Sequence, residues 1–222
     1  MGIARDLERR LERIVDGLSA AVFRGRMQPV DVADRLVRQA DLLVEDGLSG
    51  PTIPNDYTVG INPRDLSAGD LDRATLEAEL AATVSATAAE RGWRTDGPIR
   101  VHLVDSTTVG QGSIACTATR APGGLSPWGQ LIEERGPRHY LFGDNRILVG
   151  RADDTDVTLE EAEVSRYHAL IFREAGRIWI ADLDSANGTT HNGISLGAEP
   201  VAIAPGDLLG FGPATFAFRA LS

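Results

Sequence analysis

From His139 to the end of the chain, β-type runs too short for ordinary helices alternate with turn signals. The runs are "ILVG", "DVTL", "HALIF", "RIWIADL", "VAIA", "LLGFG" and "ATFAFRAL", and the breakers between them include "AGR", "SANG", "HNG", "EP" and "APGD". Many short strands at this spacing can bury their apolar faces only against one another, so residues 139–222 are expected to form an all-β sandwich of about 80 residues.

The first half of the chain has a different period. Ile3, Leu7, Leu11, Ile14, Val15, Leu18 and Val22 recur at helical spacing. Pro29 suits a first helical position, and Val30, Ala33, Leu36, Val37, Ala40, Leu43 and Val44 form a second stripe that runs to Gly47. These two segments predict an antiparallel helix pair. A strand follows near residues 57–61, then a helix over 70–91 stopped by Gly92. Ile99, Val101 and Leu103 alternate in period two, and "GQGSIACTATR" can return beside them as a hairpin partner. The order α-α-β-α-β-β describes an α+β domain over residues 1–120. Residues 121–138, "APGGLSPWGQLIEERGPR", cluster Pro and Gly without periodicity and are expected to be an interdomain linker. As a free coil that segment would separate the domains by roughly 20–25 Å, while Trp128, Leu131 and Ile132 leave open that it docks on one of them.

Composition removes several kinds of chemistry. All 22 basic residues are Arg, so a phosphate-loop or Schiff-base lysine is excluded. Cys116 is the single cysteine, which excludes an intrachain disulfide; within "SIACTAT" it reads as a small buried hydrophobe. The net charge of −10 argues against general nucleic-acid binding, whose affinity comes from neutralising phosphates. Arg5, Arg9, Arg10 and Arg13 are interleaved with Asp6, Glu8 and Glu12 and read as a solvated, salt-bridged face. His102, His139, His168 and His191 lack metal-ligand spacing, so neither metal nor cofactor is expected. Ser165 and His168 have no G-x-S-x-G elbow around them, so no residue is assigned a catalytic role. With no secretory signal and no apolar run near the ~18 residues of a membrane helix, a cytoplasmic protein is expected. The "NGT" at Asn187–Thr189 is read as an accidental match to a glycosylation acceptor.

Within the β region the polar residues that look out of place sit in loops: Gly150-Arg151, Ser165 to His168, Ser185 to Thr189, and His191 to Gly193. Thirteen residues separate Arg151 from Ser165, and eighteen separate His168 from Asn187. In this order and spacing, G-R, S-x-x-H and N-G closely resemble the forkhead-associated (FHA) domain pattern, over roughly residues 139–222. The resemblance implies a module that binds phosphothreonine proteins or peptides. A phosphothreonine presents close to two negative charges and three acceptor oxygens, so its receptor needs a forked cation and neutral donors. Arg151 suits the cation, Ser165 offers a hydroxyl, Arg166 a second cation or a main-chain donor, and Asn187 an amide for an extended ligand's backbone. By resemblance, Arg151, Ser165 and Arg166 would hold the phosphate and Asn187 the peptide main chain. His168 would face inward and brace the loop carrying Arg151, and Gly150, Gly188 and Gly193 would be permissive turn positions. Ala186 stands where some FHA domains have a threonine, removing one hydroxyl contact.

Over approximately residues 1–120 the chain is similar to the uncharacterised domain that precedes FHA in a group of actinobacterial proteins. "GIARDLERRLERIVDGLSAAVFRGRMQPVDVADRLVRQAD" and "IPNDYTVGINPRD" carry that likeness. It implies a non-enzymatic adaptor in serine/threonine-kinase signalling. Thr107, Thr108, Thr117 and Thr119 are then candidate phosphorylation sites that could engage the FHA site in cis or on a second molecule. The competing expectation is a nucleic-acid- or membrane-associated scaffold acting through the N-terminal domain.

Overall fold

The computed structural model describes residues 23, 27–66 and 70–221, which divide into two compact units. The first takes its described residues from the stretch ending at Glu45, from Thr52–Ala88 and from Thr95–Gly123. The second is assembled from Asp46–Pro51, Ala89–Arg94 and Gly124–Ser222. The helix expected over residues 3–22 lies outside the described residues.

Helix α1, Pro29–Leu42, begins on its proline, and the Gln28 backbone N–H donates to Asp31 Oδ2 at 2.9 Å. Val32, Ala33, Leu36, Val37 and Ala40 form its buried stripe. It ends earlier than the stripe predicts, because residues near Gly47 enter a short hairpin of β1, Glu45–Gly47, and β2, Gly50–Thr52. Strand β3, Asp56–Ile61, is followed by helix α2, Asp70–Arg91, which buries Leu76, Leu80, Val84 and Ala88. Thr83 and Thr87, also buried on α2, satisfy their hydroxyls by donating to the carbonyls of Glu79 and Thr83. Strands β4, Arg100–Asp105, and β5, Ile114–Thr119, complete the sheet.

The expected β4–β5 hairpin does not form. The order is β4-β3-β5, with β4 parallel to β3 and β5 antiparallel to it. Tyr57, Val59 and Ile61 are fully buried, and the most buried strand takes the centre while the two strands of alternating exposure take the edges. Cys116 is half-buried rather than sealed in, with burial pushing its thiol pKa up and Arg35 opposing that shift.

The second unit is a sandwich. One sheet has the order β14-β11-β10-β8-β9, built from β8 (Arg146–Gly150), β9 (Val157–Thr158), β10 (Ala169–Glu174), β11 (Arg177–Asp182) and β14 (Val201–Ile203). The other has the order β13-β12-β15-β16-β6-β7. Its strands are β6 (Gly129–Glu133), β7 (His139–Phe142), β12 (Thr189–His191), β13 (Ile194–Ser195), β15 (Leu208–Phe211) and β16 (Ala214–Ala220). Ile147, Val149, Ile171, Ile180, Phe211 and Phe216 meet between the two sheets. β12 and β13 are joined through Asn192 and Gly193, both at positive φ, the Asn-Gly turn favoured by hairpin twist.

The segment expected as a linker departs most from expectation, since β6 lies inside residues 121–138 and pairs with both β16 and β7. Trp128 is 8% exposed, packs edge-on against Phe142 at 5.0 Å, and donates its indole N–H to the Asp144 carbonyl at 2.7 Å. Gly129 reads in sequence as a breaker, yet a Cβ there would stand 2.6 Å from the Phe142 ring, so glycine makes room for the aromatic cluster. Replacing Trp128 by Ala is expected to cost about 3–5 kcal/mol in urea unfolding of the full chain, the usual range for a core tryptophan. A loss below about 1 kcal/mol would place this segment outside the cooperative core.

Candidate phosphopeptide site

Strand register gathers the singled-out residues at one end of the sandwich. Ala169 of β10 lies opposite Val149 of β8 and opposite Asp182 of β11, so the chain leaving β8, entering β10 and leaving β11 emerges at one rim. Arg151 follows β8 directly, Ser165 and Arg166 precede β10, and Asn187 precedes β12. Arg151, Arg166 and Asn187 are exposed and Ser165 is half-buried.

Backbone hydrogen bonds lock these loops together. The Arg151 N–H donates to the Ser165 carbonyl at 2.9 Å and the Ala152 N–H to the Arg166 carbonyl at 3.1 Å. Arg151 Nε donates to the Val164 carbonyl at 3.2 Å, which fixes the plane of the guanidinium and leaves its terminal N–H groups for a ligand. Ser165 Oγ accepts the Ala186 N–H at 2.9 Å, so the hydroxyl proton stays available for donation. Asn187 Nδ2 donates to the Glu163 carbonyl at 2.7 Å, leaving the amide oxygen and one N–H. Neither Arg151 nor Arg166 is in an ion pair among the described residues. Three neighbouring acids are engaged elsewhere: Asp154 accepts the Tyr167 hydroxyl, Glu161 pairs with Arg138, and Asp156 pairs with Arg94. The Asp154 contact is also the main cause raising the Tyr167 pKa.

His168 is fully buried and spans two of the loops. Its Nδ1 accepts the Ser165 N–H at 3.1 Å and its Nε2 lies 3.2 Å from the Gly188 carbonyl, which fixes a neutral ring protonated on Nε2. The ring therefore braces the Ser165 and Asn187 loops directly. It reaches the Arg151 loop, which it was expected to hold, only through the Ser165–Arg166 backbone. Asp182 closes the third loop by accepting from Ser185 and Thr189; burial raises its pKa, but these hydrogen bonds outweigh that and lower it. The sequence does not disclose this role, although an Asp closing a β-run just ahead of Ser185 is a turn signal.

The glycines divide by cause. Gly188 and Gly193 have positive φ, as turn positions require. Gly150 does not, and there the constraint is space, because a Cβ would overlap the Arg166 carbonyl oxygen and crowd that of Ser165. Among the described residues no group of His, Cys, Asp and Glu is arranged to hold a metal, and no helix is long and apolar enough to cross a membrane.

The comparisons with known proteins agree with this architecture. Residues 5–117 match the family described as "FhaA, N-terminal domain", and residues 147–212 match the FHA domain. The chain belongs to the FhaA N-terminal-domain family and carries an FHA domain. Both resemblances read from the sequence are thereby borne out, as is the fold class, α+β followed by an FHA sandwich. The oxoglutarate dehydrogenase inhibitor of Corynebacterium diphtheriae is 34% identical over 67 residues, covering 29% of this chain and 47% of that protein. The glycogen accumulation regulator GarA of Mycolicibacterium smegmatis is 35% identical over 65 residues, covering 28% and 41%. The chain thus spans less than half the length of either relative. Among solved structures, the FhaA FHA domain complexed with the intracellular domain of Rv3910 is 28% identical, with a TM-score of 0.38 over 41% of this chain and 99% of that one.

Two outcomes follow from this geometry. Gly150→Ala is expected to displace the 165–166 loop, costing about 1–3 kcal/mol in thermal unfolding and weakening any ligand of Ser165; wild-type stability would contradict the close approach. Burial lowers the His168 pKa, so above the unfolded value of about 6.5 the ring is neutral in both states and its contribution to stability is complete. As pH falls through that value toward the folded pKa, the unfolded chain takes up the proton first and stability is lost. His168→Gln should flatten the fall in melting temperature between about pH 6.5 and 5; an unchanged slope would mean that the ring protonates equally in both states.

Proposed function

We propose that this protein is a non-catalytic cytoplasmic adaptor that binds phosphothreonine-containing proteins through its FHA domain, downstream of serine/threonine protein kinases. The observation that carries the reading is the exposed pair Arg151 and Arg166, without ion-pair partners among the described residues, in a chain of net charge −10. Arg151 is held by its Nε with its fork free, and the Ser165 hydroxyl has its proton to give. Arg clusters of this kind recognise phosphorylated motifs in several modules. Arg151, Ser165 and Arg166 are assigned to the phosphate and Asn187 to the peptide backbone, with Gly150, His168 and Gly188 supporting them. The relatives' names, an inhibitor and a regulator, accord with control by binding rather than turnover.

Calorimetry with a phosphothreonine peptide library is expected to show binding that Arg151→Ala weakens about tenfold to a hundredfold, the worth of charge-assisted hydrogen bonds. An unchanged dissociation constant in that variant would remove the phosphate-centred reading. Phosphoserine versions of the selected peptides should bind more weakly, because an extra methyl in a shaped pocket contributes about 1–3 kcal/mol. Affinity should also fall between pH 7.5 and 5, as the phosphate loses its second charge near pH 6.

A further inference from the structure

The loop that presents Arg151 is held from beneath by a residue far outside the matched FHA stretch. Asp156 ends that loop, and its backbone N–H donates to the Leu148 carbonyl at 2.9 Å while its Oδ2 accepts the Leu148 N–H at 2.7 Å. Both carboxylate oxygens also receive the Arg94 guanidinium, each at 2.7 Å. Arg94 is itself fixed within the second unit. Its N–H donates to the Pro51 carbonyl at 2.8 Å, and its guanidinium also reaches the Arg146 carbonyl at 2.9 Å. The side chains of Arg94 and Asp156 are 22% and 20% exposed, so the pair is largely shielded from water and salt. Asn145 and Arg146 extend the same seam, donating to the carbonyls of Trp93 and Ser49, while the Arg146 guanidinium lies 4.6 Å over the Phe172 ring.

Resting on the phosphate-binding reading of the site, we propose that Arg94 is a positioning residue for it, acting through Asp156 on the loop that presents Arg151. With Leu148 on one side of the loop and Asp156 on the other tied to a single carboxylate, the 151–155 backbone has little freedom at its base. The guanidinium plane set by Val164 then keeps its position relative to Ser165. Without Arg94, Asp156 keeps the Leu148 N–H but loses the fork that fixes the carboxylate plane, and the loop gains freedom that a bound phosphate must remove. Lysine cannot replace it, since an ammonium cannot bridge both oxygens and the Arg146 carbonyl in one plane.

The test uses the full chain at a temperature well below each variant's unfolding, so that stability alone moves no binding constant. With a fluorescein-labelled degenerate phosphothreonine peptide library as probe, Arg94→Ala is expected to bind about threefold to tenfold more weakly. Arg94→Lys should recover only part of the loss, and Asp156→Asn, which keeps an acceptor for Leu148, should show a loss that does not add to that of Arg94→Ala. Backbone hydrogen exchange of residues 151–156 should quicken in all three variants. Wild-type affinity in folded Arg94→Ala, or unchanged exchange in that loop, overturns the proposal. If the wild-type protein binds no phosphothreonine peptide, the functional reading fails, and loop exchange alone then decides the positioning.

Discussion

A buried neutral imidazole joins two loops that no strand ladder connects. The Ser165 N–H finds its acceptor at the rim of the sandwich in His168 Nδ1, while Nε2 reaches the Gly188 carbonyl, which otherwise receives only the Gly212 N–H at 3.5 Å. Its direction of donation follows from theirs, so the ring must stay uncharged, and its burial keeps it so. From this brace the rest of the site follows. Ser165 can hold the Ala186 N–H, Asn187 can reach the Glu163 carbonyl, and the 165–166 backbone can receive the N–H groups of Arg151 and Ala152.

The exposed side chains are therefore presented by a framework whose own polar groups are already satisfied. Arg151, Ser165 and Asn187 each spend one side-chain hydrogen bond on orientation and keep their remaining capacity outward. Pre-organisation of this kind reduces the ordering cost of binding, which matters for a site made wholly of loops. The charge balance works the same way, because Arg138 and Arg94 engage Glu161 and Asp156, acids that lie in the same stretch as Arg151 and Arg166.

The second unit is wider than its sequence signature. Its family match covers residues 147–212, whereas β6, β7 and two short segments near residues 46–51 and 89–94 are integral to it. Trp128 fills the core beside Phe142, and Arg94 and Arg146 tie the two short segments to the β8 side of the sandwich. The unit's composition thus includes residues that any boundary drawn on motif spacing alone assigns elsewhere.

The sequence by itself determined the period of each half, the order of the site loops and the residue types within them. Those follow from local chemistry: alternation, turn residues, and an Arg, Ser and Asn at fixed intervals around a buried histidine. Strand partners were not legible, because β4 and β5 alternate equally well beside each other or on either side of β3, and only the greater burial of Tyr57, Val59 and Ile61 decides it. β6 was hidden because Gly129 and the flanking prolines mimic a linker, while the reason for that glycine is the Phe142 ring, distant in sequence. Likewise Gly150 reads as a turn residue until the Arg166 carbonyl is seen above it, and nothing in the sequence pairs Arg94 with Asp156. What the tertiary structure alone decided are the pairings between residues tens of positions apart, since close approach and ion pairing depend on distance in space, which spacing along a chain does not encode.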